Sequence, residues 1–259
     1  MAESAIAESR LWRPNRWRCL LLLIALTAVA AHAGSRLQLV ANDDWEPYTG
    51  EDIAGQGIAT EIVTTALRRA GYQTSVTVVP WARALALTYV GEADGIVAIW
   101  TTNARRDKIL FSDAYLSNKI VLLHMRGKMT DKKTLADLTG LHIGAGRGYE
   151  YSDAFAASKD FYVDPVDHTL ANLRKLSAGR VDLVIEDERI AKYMISYHGN
   201  EIEHADQIEF SSPPLFVLPL YFGVSMHRPD ARAIVRKFNA ALKSMQMDGT
   251  LHSIAERFH

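Results

Sequence analysis

Between positions 94 and 115 the chain reads DGIVAIWTTNARRDKILFSDAY, an apolar stretch running into a polar turn that carries Arg105, Arg106 and Lys108. A guanidinium in such a turn can grip a carboxylate: its planar fork offers two parallel charge-assisted hydrogen bonds, and it keeps its charge on burial. Taken alone, the same cluster of cations describes a solvated basic turn just as well. A second stretch, GRVDLVIED, closes on Asp187. A carboxylate there can cap a following helix, and the carboxyl end of a strand beside a helix start is also where open α/β sheets place ligands. Both roles are open to it. A third stretch, GAGRGY at 144–149, is a Gly-rich turn whose backbone N–H groups can hold an anion, with Arg147 and Tyr149 alongside.

Other chemistries find little support. GAGRGY invites a dinucleotide reading, but Tyr149 stands where the third glycine of that motif belongs, and the motif lies mid-chain without a convincing acidic ribose partner. The histidines beyond position 33 are scattered without an H-x-H or HExxH spacing, so no metal centre is expected. No nucleophile elbow or phosphate loop is present, and the single cysteine, Cys19, lies in the opening segment. No cofactor is expected. With a formal net charge of −1, bulk charge does not invite nucleic acid either.

The opening segment reads as a secretory signal. Arg10, Arg13, Arg16 and Arg18 precede the apolar run at 19–31, and Ala31-His32-Ala33 supplies a small-residue exit. The run is shorter than the roughly 20 residues that cross a bilayer, which argues for cleavage rather than anchoring. Residues 1–33 carry those four arginines against Glu3 and Glu8, so their removal takes the formal charge from −1 to −3. A mature chain without thiols suits an oxidising compartment, and a monomer in the periplasm is expected.

From 37 onward, strand and helix patterns alternate, which argues for α/β architecture. Strands are predicted at 37–41, 74–80, 95–100, 118–125, 141–146, 181–187 and 219–226. Helices are predicted at 57–70, 82–89, 134–138, 169–179, 188–198 and 229–247. In the first of these helices Ile58, Ile62, Ala66 and Leu67 share one face. In the last, Ile234, Val235, Phe238, Ala241, Leu242 and Met245 do the same.

The chain resembles the family 3 extracellular solute-binding proteins, the bacterial periplasmic proteins that capture amino acids for ABC importers. The likeness spans essentially all of 34–259. It is carried by the Thr-rich turn with Arg105 six residues before Phe111-Ser112, by GRVDLVIED, similar to the family's Gly-Arg-x-Asp-Ala-x-x-x-Asp, and by the closing FNAALKSMQMDGTLHSIAERF. The resemblance implies a periplasmic-binding-protein-like fold: two α/β lobes, a double-strand hinge and a ligand cleft between the lobes. One lobe would comprise 34–117 and 217–259, the other 118–216.

It further implies a small-molecule ligand, an amino acid or similar solute, with Arg105 on its carboxylate and Asp187 on its ammonium. Trp45 and Tyr48 would flank it, and Trp81 with Arg83 matches one branch of the family. Loop packing for the first pair, and helix packing and solvation for the second, stay open. An ABC permease is the implied partner and no catalysis is expected. The alternative is an enzyme of the same fold, a cyclohexadienyl dehydratase, for which Glu150 or Glu186 would be the general acid. Two departures stand out. The family's Gly-x-Thr is Ala98-Ile99-Trp100 here, and its Ser-Gly-Thr turn becomes 146–151, where Arg147 and Tyr149 could add contacts.

Overall fold

The computed structural model describes residues 36–128 and 134–258. The expected signal segment at 1–33 lies outside the described residues, as does most of the turn-rich stretch at 127–134. No helix among the described residues is long and apolar enough to cross a membrane.

The first half-sheet is built from β1 (Arg36–Asn42), β2 (Gln73–Val79) and β3 (Gly95–Ile99), with β1 central and parallel to both neighbours. The crossovers are α1 (Ile58–Arg69) and α2 (Trp81–Val90). The apolar face predicted for α1 is the one buried, with Ile58, Ile62, Ala66 and Leu67 fully covered. Every residue of β3 is buried, as expected of a strand covered on both faces. A short strand, β4 (Ile109–Phe111), follows the Arg105 turn.

β5 (Leu116–Met125) then leads into the second half-sheet, which contains β6 (His142–Gly146), β7 (Tyr162–Val166), β8 (Leu183–Asp187) and β9 (Ile208–Phe210). Its helices are α3 (Asp153–Ala157), α4 (Thr169–Ser177) and α5 (Glu188–His198). The chain returns through β10 (Phe216–Ser225) and ends in α6 (Ala231–Met247) and α7 (Thr250–Glu256), which pack on α1. Pro165 sits in β7, the last strand of the sheet path, where a missing N–H does least harm.

The sheet path runs β2-β1-β3-β10-β5-β8-β6-β7. Two long strands join its halves. β10 pairs β3 and β4 through Tyr221–Ser225, and pairs β5 through Phe216–Leu220. β5 in turn uses Leu116–Ile120 against β10 and its remainder against β8 and β9. The architecture is the two-lobed α/β fold with a double-strand connection.

Candidate functional site

The pocket between the half-sheets is lined by Asn42, Trp45, Trp81, Ala98, Ile99, Trp100, Arg105 and Tyr149, and in this closed form its free cavity is only about 20 Å³. Each wall has a local cause. Trp45 and Tyr48 belong to the loop after β1, which is clamped onto the start of α1. The N–H groups of Ile58 and Ala59, without intrahelical partners, donate to the carbonyls of Pro47 (3.0 Å) and Tyr48 (2.9 Å). Gly57 makes the approach feasible, because its φ is 97° and a Cβ there would lie 2.4 Å from the Tyr48 carbonyl oxygen. Trp81 opens α2, and its indole N–H donates across the cleft to the Gly148 carbonyl at 3.2 Å. Tyr149 folds over Gly146, where a Cβ would come within 2.6 Å of its ring. Its hydroxyl accepts from the Asn42 amide at 2.9 Å.

Arg105 follows β3 in a single 3-10 turn and is only 2% exposed. Its Nη1 donates to the Trp100 carbonyl at 2.8 Å, its Nη2 lies 3.6 Å from the Glu150 carboxylate, and its guanidinium sits 5.3 Å over the Trp81 ring. Burial pushes its pKa down, opposed by Glu150 and Tyr89; a guanidinium in a protein stays charged nonetheless. Trp100, which replaces the expected threonine, is the hub of an aromatic cluster. Its ring centroid is 5.8 Å from Trp45, 5.7 Å from Tyr149 and 5.7 Å from Tyr151, distances typical of favourable aromatic pairs.

Asp187 fills the helix-cap role that the sequence left open to it. It caps α5, its Oδ1 accepting from the N–H groups of Arg189 (2.8 Å) and Ile190 (3.1 Å). Its Oδ2 accepts from the Asn118 amide (3.0 Å) and the Tyr48 hydroxyl (3.3 Å). It is 1% exposed and is not part of the pocket wall that holds Arg105. The two are joined indirectly: the Trp100 indole N–H donates to Asn118 Oδ1 at 2.8 Å, and the same Asn118 serves Asp187. Asn118, the buried middle of that relay, was not anticipated. Its only signal in the sequence is a lone amide at the start of an apolar strand, where burial demands partners.

The remaining expected residues divide. Trp45, Trp81, Trp100 and Tyr149 join Arg105 around the pocket, and Tyr48 stands beside Trp45 with ring centroids 4.8 Å apart. Arg83 is exposed on α2 and lies outside the pocket wall. Arg147 turns away to Asp167 (2.7 Å) and the Pro165 carbonyl (3.2 Å). Of the two carboxyls considered as acids, Glu186 is sealed at 1% exposure with its Oε2 accepting from the Thr169 hydroxyl, and Glu150 pairs with Arg105. Among the described residues no cluster of His, Cys, Asp and Glu could hold a metal ion.

Several bonds cross between the halves. Besides Asn42–Tyr149 and Trp81–Gly148, Asp44 Oδ2 accepts from the Thr169 N–H at 2.7 Å, and Asn103 donates to Asp153 at 2.6 Å. The lobes are thus closed over the pocket.

Residues 37–259 match the family described as bacterial extracellular solute-binding proteins, family 3. The L-cystine-binding protein TcyJ of Escherichia coli (strain K12) is 24% identical over 213 residues, 82% of this chain and 77% of that protein. The ABC transporter arginine-binding protein 1 of the same strain is 26% identical over 170 residues, 61% of this chain and 62% of that protein. Among solved structures, an ancestral arginine-binding protein bound to arginine superposes with a TM-score of 0.72 at 21% identity, covering 86% of this chain and 98% of that one.

Proposed function

This chain belongs to family 3 of the bacterial extracellular solute-binding proteins, and we propose that it captures an amino acid or a similar small carboxylate by closing two lobes over it, then presents the closed form to an ABC permease. The observation that carries this reading is a buried guanidinium, Arg105, set in an aromatic-walled pocket that residues of both half-sheets enclose. Arg105 anchors the ligand's carboxylate, and Trp45, Trp81, Trp100 and Tyr149 pack against the rest. The lobes comprise 34–117 with 217–259, and 118–216, and 1–33 directs the protein to the periplasm, where it acts as a monomer.

A charge-assisted hydrogen bond contributes roughly 1.5 to 3 kcal/mol net. Arg105→Ala is therefore expected to weaken binding by on the order of tenfold to a hundredfold, and Arg105→Lys to recover only part of it, because an ammonium lacks the fork. Titration calorimetry with a ligand found by thermal-shift screening measures this. Equal affinity in Arg105→Ala would remove the anchor and the reading with it.

The relatives named above are binding proteins, and this chain is proposed to release its solute unchanged. Neither acid candidate supports turnover: Glu186 is sealed from the pocket and Glu150 is paired with Arg105. Incubation with prephenate or arogenate should yield no aromatic product; its appearance would establish the dehydratase instead.

A further inference from the structure

We propose that the solute this cleft accepts is a carboxylate with a flat apolar body and no ammonium group, a refinement that rests on the capture reading above. The two charged ends of the site are not equally free. A carboxylate has about four lone-pair positions, and on Asp187 four donors of the protein itself occupy them: two backbone N–H groups of α5, Asn118 and Tyr48. The Asn118 amide is fixed in turn by the Trp100 indole N–H at 2.8 Å. An arriving ammonium would have to expel a member of that relay to reach Asp187.

The Arg105 end is the reverse. Of its five N–H donors, those toward the Trp100 carbonyl and the Tyr89 hydroxyl are engaged, and its approach to Glu150 is loose at 3.6 Å. Trp45, in the same pocket wall, has a buried indole nitrogen with no hydrogen-bond partner. The buried side-chain atom of the wall that lacks a hydrogen bond is thus a donor, and most of what remains is aromatic face. Such a lining complements an anion with an apolar remainder. An ammonium held there would keep unpaired N–H groups out of water beside a guanidinium, which is costly. Glu150 Oε2 is a buried acceptor without a hydrogen bond, but it lies outside the pocket wall and, 3.6 Å from Arg105 Nη2, serves as counter-charge to the guanidinium. Aromatic faces attract cations in general, but Arg105 already lies over Trp81.

Matched pairs differing only in the amino group test this. The purified protein is titrated calorimetrically with 3-phenylpropionate against L-phenylalanine, with indole-3-propionate against L-tryptophan, and with glycine betaine. The des-amino member of at least one pair is expected to bind more tightly by on the order of tenfold or more, with that binding lost in Arg105→Ala. Trp100→Thr, which frees Asn118 and clears the way to Asp187, is expected to shift the preference toward the amino acid by about tenfold. Should that variant not fold, the wild-type pairs decide alone. An amino acid bound as tightly as its des-amino partner, or betaine bound more tightly than both, overturns the inference and leaves the capture reading standing. No binding by any carboxylate, with or without the amino group, overturns both.

Discussion

At the scale of single residues, Asp187 and Glu186 are neighbours in sequence with opposite demands. Asp187 must be ionised to serve four donors, and its removal strands Asn118 and Tyr48 as well as the start of α5. Losing the cap costs about 1 kcal/mol, and each buried partner left unpaired about 1 to 3 kcal/mol. Asp187→Ala is thus expected to lose roughly 3 to 7 kcal/mol of stability in urea unfolding; a loss near zero would mean the side chain is not the cap. Glu186 is pushed up to about 8 from an ordinary 4.5, chiefly by burial, with the charges of Asp187 and Asp44 adding to it and the Asp187 N–H and Thr169 hydroxyl opposing. The folded state therefore keeps a proton that the unfolded chain releases above pH 4.5. The stability from this group is complete below pH 4.5 and is lost as pH rises through about 8. Glu186→Gln imitates the protonated form, so its melting temperature should exceed that of the parent at pH 8 and converge on it toward pH 5. A gap that stays constant with pH would contradict the assignment.

At the scale of elements, the pocket depends on how α1 holds the loop that carries Trp45 and Tyr48. Gly57→Ala forces a positive φ on an alanine and drives its Cβ into the Tyr48 carbonyl. A destabilisation of about 1 to 3 kcal/mol is expected, together with weakened ligand binding, since the same carbonyl fixes the aromatic wall. Unchanged stability in denaturant titration would show that the loop simply moves aside. The long elements were legible because their signals are local: the four apolar residues expected on one face of α1 are buried, together with Ala59, Thr60, Val63 and Thr65, and α5 spans the expected 188–198. The strands β4, β7 and β9 were not anticipated. Two of them are three residues long and the third contains Pro165, so each owes its existence to a partner far away in the chain. The site divides the same way. Arg105 announced itself through the turn and the FS that follows, and the aromatic residues through their positions after strands. That Trp100 and Asn118 would complete the shell of Asp187 depends on three segments meeting, which no periodicity encodes.

At the scale of the whole molecule, closure is held by bonds remote from the ligand pocket. Asp44 lies outside the pocket wall, yet it accepts from the Thr169 N–H and lies 3.6 Å from His168 on the opposite lobe. Those contacts exist only when the lobes meet. Asp44→Ala should therefore lower the closed population and weaken apparent affinity by roughly threefold to tenfold without touching the solute. Small-angle scattering should give the unliganded variant a larger radius of gyration than the parent. Identical affinity and radius would show that Asp44 is not a latch. The shared strand β10 reaches further still, into biogenesis. Both half-sheets need residues 216–225, so a chain emerging from the ribosome or threading through an export channel cannot finish either one until nearly all of it has passed. Pairings so distant in sequence form slowly, and until then β3 and the first half of β5 present raw edges that other chains could join. A late-arriving strand thus leaves the incomplete chain with edges that a chaperone covering exposed strands would shield.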